Sequence, residues 1–398
     1  MNVLLMVVGI ILFFGLVVVH EFGHFIMARR GGVEVEEFGI GFPPKLFKYK
    51  TKGGWLFTIN LLPLGGFVKL KGEHDTDTTP GSFGAASVWT KSKIMAAGVM
   101  MNLITAYILF VGLALAGMPQ LVDNQFVVKS DATYVSRAEK YIAAGQVESG
   151  SPAAKAGIKA DDKLVAFGPA GHLLPLKAED TLPGLTKQYA GQTVAIQYVP
   201  AGKASVVTKQ VTLRSAGDIA AAKAAGKQEG YLGVSEYQAQ SGVTVVRSTW
   251  SAPIVAAGVV KQFTELTFEG LGKALQGVGG IVSGFVTQNT SARVAAQDEA
   301  SSQVAGPVGI FFVFKYGSEL GFGFMIFIVA VLSLTLAIMN ILPIPALDGG
   351  RLWLMLITRA LKRPLKPQHE EAIVATGFAF MMGLLILITI VDVRRFIY

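Results

Sequence analysis

His20 and His24 flank a carboxylate and an aromatic residue in the string His20-Glu21-Phe22-Gly23-His24. On a helix, residues four apart share a face, so two imidazoles at this spacing can present nitrogens to one metal ion while Glu21 projects beside the ion's open position. That arrangement suits zinc-assisted hydrolysis. An ion with three protein ligands keeps a fourth place for water, acidifies it and polarises a carbonyl, and a neighbouring carboxylate takes the proton. The string supplies two ligands and a general base, Glu21; the third ligand must come from elsewhere in the chain.

The element that carries the string is apolar from Val3 to Val19 and closes on Arg29-Arg30, which reads as a membrane span. An ionisable side chain inside a bilayer costs at least ~2.5 kcal/mol. Three within five residues therefore need a compensating role, and a bound metal provides one. The run has no basic n-region and no small-residue cleavage site ahead of the histidines, so a retained helix is expected rather than a removed signal peptide.

The whole chain fits that setting. Its 398 residues are 52% hydrophobic and only 16% charged, with a mean hydropathy of +0.50, too apolar for an ordinary soluble enzyme and too long for a bare bundle of spans. The net charge of +8 sits largely beside apolar runs and reads as membrane topology and lipid contact, with no nucleic-acid partner expected. Without cysteine there is no disulfide, thiolate ligand or thiol nucleophile.

Residues 31–93 are rich in glycine, proline and lysine, a bias that marks a cytoplasmic segment and puts the N-terminus outside. Within it Trp55 to Leu62, the turn signal Pro63-Leu64-Gly65-Gly66 and Phe67 to Leu70 read as a β-hairpin that dips into the membrane beside the metal. Residues 94–117 are a second span, whose one strongly polar residue, Asn102, is expected to hydrogen-bond between helices. The polar stretch 138–238 has the pattern of a small α+β domain, with a capped helix in Ser151 to Gly157, strands at Leu164 to Phe167, Thr193 to Val199 and Val206 to Leu213, and a second helix from Glu179 to Ala190. Residues 239–322 form a connecting region containing an amphipathic helix from Ser251 to Val286 on the outer membrane face. A third span occupies 323–350 with its trailing motif, and a fourth 372–391; the basic loop between them is cytoplasmic by its charge. The third span ends in Asn340-Ile341-Leu342-Pro343-Ile344-Pro345-Ala346-Leu347-Asp348-Gly349-Gly350, where two prolines break the helix at the depth reached by His20 and His24. Asp348 is thus the expected third ligand of one zinc ion per chain.

Two resemblances follow from these motifs. Gly150-Ser151-Pro152-Ala153-Ala154-Lys155-Ala156-Gly157 resembles the opening of bacterial PDZ domains, and Gly230-Tyr231-Leu232-Gly233-Val234 resembles their carboxylate-binding loop in circularly permuted order, which implies peptide binding by Tyr231, Leu232 and Gly233. More broadly, HExxH in the first span, the glycine-rich Phe38 to Phe42, the Pro63 to Gly66 turn, one PDZ domain and the Asn340 to Gly350 motif together resemble the site-2 proteases of the bacterial regulator-of-sigma-E type. That resemblance implies zinc on His20, His24 and Asp348 and Glu21 as base. It also implies substrate held by Asn340, Pro343, Gly39, Gly41, Gly65 and Gly66.

The expected protein is therefore a polytopic α-helical membrane protein with four transmembrane helices, a membrane-associated β-hairpin and an inserted extracytoplasmic PDZ domain. It would lie in a bacterial inner membrane with both termini outside and the active site near the cytoplasmic side. It would cut single-span membrane proteins such as anti-sigma factors or signal-peptide remnants. Two rivals remain at this point: a membrane-anchored zincin with a soluble site, using Glu73 or His74, and a catalytically silent PDZ scaffold.

Overall fold

A computed structural model describes residues 3–72, 77, 79–136, 139–176, 182–201, 205–227, 229–241, 243–286, 306–362 and 367–396. Its helices are α1 (Val3–Arg30), α2 (Val88–Ala116), α3 (Pro152–Lys155), α4 (Leu182–Gln188), α5 (Ala216–Ala224), α6 (Ala252–Val286), α7 (Pro307–Gly317), α8 (Phe322–Ile341), α9 (Asp348–Ala360) and α10 (Pro367–Phe396). The strands are β1 (Val35–Lys50), β2 (Leu56–Leu70), β3 (Met118–Pro119), β4 (Thr133–Ser136), β5 (Glu139–Val147), β6 (Lys163–Gly168), β7 (Leu174–Pro175), β8 (Thr193–Val199), β9 (Val207–Thr212), β10 (Val234–Ser241) and β11 (Val245–Arg247). They divide between two compact units, Met1–Val135 with Val245–Tyr398, and Ser136–Thr244.

In the first unit α1, α2, α8 and residues Gln368–Val393 of α10 are long and apolar enough to cross a membrane. Local chemistry sets their ends. Gly32, at φ +74°, ends α1, with the Val33 N–H closing on the Ala28 carbonyl. The Ser87 hydroxyl accepts from the Thr90 N–H and starts α2 at Val88, ahead of the expected boundary. Leu342-Pro343 turns α8 out of helical conformation. Phe110 of α2 and Phe327 of α8 meet ring to ring at 5.5 Å, and Val255, Ala256 and Val259 of α6 close the same core. The start of α6 is thus packed core, which corrects the expectation of a helix that simply lies on the membrane face. The polar side of α6 does show the predicted spacing, with Lys261–Glu265 and Lys273–Glu269 pairs.

A second correction concerns the β region. β1 and β2 pair antiparallel where Val35–Ile40 meets Gly66–Leu70 and where Lys45–Lys50 meets Leu56–Asn60, but both are long and bent, and the register divides. Lys45, Phe47, Lys48, Tyr49 and Lys50 face Asn60, Ile59, Thr58, Phe57 and Leu56; Phe38, Gly39 and Ile40 face Phe57, Thr58 and Ile59 on one side and Val68, Phe67 and Gly66 on the other. The two halves of the expected hairpin are therefore not partners, because Phe38–Ile40 lies between them. The tight turn is instead at Thr51–Trp55, where the Thr51 N–H donates to the Trp55 carbonyl and Gly54 takes φ +87°. Turn-forming residues reveal where a chain reverses but not which strand it meets. Buried Glu37 locks the arms together by accepting from Lys45 and from Thr58, each at 2.7 Å.

A third correction is the end of the third span. The Leu347-Asp348-Gly349-Gly350 motif does not finish that helix; Asp348 opens α9, a separate helix.

The second unit has an antiparallel sheet in the order β10-β5-β6-β8-β9, with β7 on β6. Ile142, Leu164, Ile196 and Leu232 are in its core. Ser151 caps α3, Pro152 takes its first position and Gly157 leaves it at φ +82°, as the sequence pattern demands. Residues 179–181 of the helix expected from Glu179 to Ala190 lie outside the described residues; α4, Leu182–Gln188, falls within its remainder. The polar stretch 291–302 lies outside them as well.

Candidate metal centre

α1 and α2 approach closely where Gly23 faces α2. A Cβ on Gly23 would fall 2.5 Å from the Ala97 carbonyl oxygen, so only glycine allows this approach. The contact brings the second imidazole to α2, where the Nδ1–H of His24 donates to the Ile94 carbonyl at 2.7 Å. That leaves Nε2 of His24 to face Nε2 of His20 at 3.2 Å.

The third group arrives from the other end of the chain. Asp348 Oδ2 lies 2.9 Å from His20 Nε2 and 3.0 Å from His24 Nε2. It is delivered by a tight loop between α8 and α9. A Cβ on Gly349 would meet the Ile341 carbonyl oxygen at 2.4 Å, and one on Gly350 the Ile344 carbonyl oxygen at 2.0 Å. The two glycines let the proline-containing loop fold back on the start of α9, which sets where Asp348 sits.

Among the described residues, His20, His24 and Asp348 are the group of three able to hold one metal ion. Two imidazole nitrogens and one carboxylate oxygen form a zinc donor set that leaves a coordination place open. The space they face is also kept clear. A Cβ on Gly98 of α2 would sit 2.5 Å from His24 Nε2 and 2.6 Å from His20 Nε2, so the missing side chain leaves a cradle where both nitrogens point. The residues therefore fit the ion. Glu73 and His74, the ligands required by the soluble-zincin rival, lie outside the described residues.

Glu21 is half-buried beside the pair, and the Val68 N–H of β2 hydrogen-bonds to its carboxylate. Gly66 allows that strand to come near: a Cβ there would be 3.4 Å from Glu21 Cγ. The sheet is held against α1 by aromatic contacts, Phe25 to Trp55 at 4.8 Å and Phe25 to Phe38 at 5.6 Å. Of the other glycines singled out in the sequence, Gly39 makes room for the Phe67 ring, Gly41 bends β1 at φ +79°, and Gly65 lies against the Phe42 ring. Asn340 is half-buried in the last turn of α8 and Pro343 is exposed just beyond it. Tyr231, Leu232 and Gly233 lie in the second unit, where their carbonyls accept from the backbone N–H groups of Arg214, Ala153 and Glu148.

Sequence reasoning missed Gly98, and it read Asn102 as a helix-to-helix hydrogen-bonding group without its target. Asn102 is 1% exposed and its side chain meets Nδ1 of His20 at 3.3 Å. A glycine four residues before an asparagine in an uncharged span was the available signal.

Comparison with known proteins bears on this geometry. The model of peptidase family M50 matches residues 8–384. A protein of Clostridium perfringens named "putative zinc metalloprotease" is 29% identical over 97% of both chains. One of the same name from a Nostoc species is 28% identical over 93% of this chain and 90% of its own. The Enterococcus faecalis protein named "probable protease eep" is 26% identical over 98% of this chain and 99% of its own.

Proposed function

The chain belongs to peptidase family M50, the site-2 proteases, and from that premise we propose that this zinc metalloprotease hydrolyses peptide bonds in or beside transmembrane segments of other membrane proteins. The observation that carries the reading is the meeting of His20 and His24, on a helix apolar enough to cross a membrane, with Asp348 from the far end of the chain. Zinc held there supplies Lewis acidity toward the scissile carbonyl and acidifies water.

The remaining chemistry belongs to the chain. Glu21 takes the proton of the attacking water and returns it to the departing nitrogen. A peptide bond within a helix is shielded by its own hydrogen bonds and side chains, so the substrate must be extended before attack. The Gly66–Leu70 arm of β2, paired on one side with β1 and adjoining Glu21, offers the backbone groups that replace the lost helical bonds. Gly39, Gly41, Gly65 and Gly66 shape that arm and its neighbours, and we assign Asn340, in the last turn of α8, and Pro343, in the loop that leads to Asp348, to holding substrate. Substrates of this kind are single-span proteins, anti-sigma factors or signal-peptide remnants, cut from the cytoplasmic side of a bacterial inner membrane.

We read residues Ser136–Thr244 as a permuted PDZ domain on the extracytoplasmic side. Its support is the loop Gly230–Gly233 leading into β10, which among the described residues ends the sheet and pairs with β5 alone, as an acceptor for an added peptide strand must. The carbonyls of Tyr231, Leu232 and Gly233 are taken by backbone N–H groups of the same unit, and in this reading a peptide carboxylate is met by the loop's own N–H groups.

The test is Glu21→Gln in purified full-length protein, with zinc content and cleavage of a single-span substrate both measured. The variant keeps its zinc and loses cleavage. Cleavage at the wild-type rate would refute the assignment.

A further inference from the structure

One face of α2 serves both imidazoles. Ile94, Gly98 and Asn102 are spaced four apart and lie above one another. Ile94 gives a carbonyl to Nδ1 of His24, Gly98 keeps the space before both Nε2 atoms clear, and Asn102 reaches Nδ1 of His20. The backbone of Asn102 is itself anchored: its carbonyl accepts from the Ser333 hydroxyl of α8 at 2.8 Å. The side chain thus acts from a fixed point.

The chemistry at Asn102 is unfinished as the amide stands. Its Nδ2 faces Nδ1 of His20, while its Oδ1 is buried with no hydrogen-bond partner. A buried acceptor left unpaired is unfavourable. An imidazole that gives the lone pair of Nε2 to a metal carries its proton on Nδ1 and can only donate there. Nδ2 also only donates, so as the amide stands two donors face each other; a half-turn places Oδ1 against that N–H and gives it an acceptor.

We propose that Asn102 is a positioning residue of the zinc site: its Oδ1 accepts from Nδ1–H of His20, fixing the tautomer and ring orientation that present Nε2 to the ion. The Ile94 carbonyl does the same for His24, so α2 forms the outer shell for both nitrogen ligands. This rests on the reading that His20 binds zinc. It goes beyond that reading in assigning a role to a residue that touches neither ion nor substrate, and in requiring an acceptor at position 102.

The experiment measures the zinc dissociation constant of the detergent-solubilised full chain by competition with a chelator, for wild type, His20→Ala, Asn102→Leu and Asn102→Asp. Asn102→Leu keeps the side-chain size and loses the acceptor, and its zinc affinity falls about 10- to 100-fold, as is usual when an outer-shell partner is removed. Asn102→Asp keeps an acceptor and has nothing to donate, and it binds zinc at least as tightly as wild type. A purely structural role for Asn102 would weaken both variants alike. Wild-type affinity in Asn102→Leu overturns the proposal, and so does a loss in Asn102→Asp, which decides the matter even if the leucine variant fails to fold. His20→Ala separates the two levels. If it binds zinc as wild type does, the ligand assignment itself falls; if it loses zinc while the Asn102 variants depart from the expected pattern, only the positioning role falls.

Discussion

Adding a single methyl group at Gly98 tests the cradle. The Cβ of Gly98→Ala would lie 2.5 Å from His24 Nε2, 2.5 Å from His20 Cε1 and 2.6 Å from His20 Nε2. The methyl would therefore press on both of the nitrogens that would hold the ion. Side-chain atoms need ~3.5–4.0 Å, so α2 would have to withdraw from α1 by about 1 Å or the rings would have to turn away. Withdrawal is opposed on the same face by the His24 to Ile94 hydrogen bond, and overpacking of this kind costs ~1–3 kcal/mol. A ring turned away no longer binds. Displacement of catalytic groups by 1 Å costs ~10²-fold in rate, and zinc affinity falls at least as far. The assay is zinc per mole of purified protein by atomic emission, with cleavage of a single-span substrate alongside. Gly112→Ala is the control on the same helix, since a Cβ there meets nothing within 4 Å. If Gly98→Ala binds one zinc with wild-type affinity and cleaves at the wild-type rate, the two imidazoles do not depend on the space that Gly98 leaves.

At Gly350 a new Cβ would meet the Ile344 carbonyl oxygen at 2.0 Å and its carbon at 2.3 Å. Backbone cannot step aside as a side chain does, so Gly350→Ala shifts the loop that carries Asp348. Thermal unfolding and zinc content fall together in it, while Gly383→Ala, with open space around it, leaves both unchanged. Asp131 accepts from the hydroxyls and N–H groups of Ser251 and Thr249, and these bonds hold its carboxyl well below the usual carboxylate range. A depressed pKa in the folded protein means stability that is present above the ordinary value of about 4 and is lost as pH falls through the lowered one. Hydrogen exchange at residues 249–252 therefore stays protected from neutral pH down to about 4 and opens only in stronger acid; Asp131→Ala removes the protection throughout. Loss of protection already between pH 6 and 5 would contradict this.

The metal set was legible because it depends on residue types and helical spacing: HExxH shows its geometry in one turn, and Asp348 was placed by the prolines that stop α8 at a matching depth. The capped α3 and the strands β6, β8 and β9 were legible for similar local reasons. The β region was not, because strand partners are chosen by tertiary packing. The arm Phe38–Ile40 enters between two segments that the sequence joins by a turn, and its fit depends on buried Glu37 meeting Lys45 and Thr58. Gly98 was invisible for another reason. Its importance lies in what it leaves empty, and only the crossing of α1 over α2 reveals what would fill the gap. Asn102 was read correctly as a group that bonds between helices, but that its partner is an imidazole 82 residues earlier follows from the same crossing.

The central claim is that one zinc ion is shared by His20, His24 and Asp348. The most direct measurement is zinc stoichiometry in purified full-length protein and in His20→Ala, His24→Ala, Asp348→Ala and His74→Ala variants. One zinc per chain in wild type and in His74→Ala, with its loss in the other three, is the predicted result. Zinc retained by Asp348→Ala and lost by His74→Ala would contradict it.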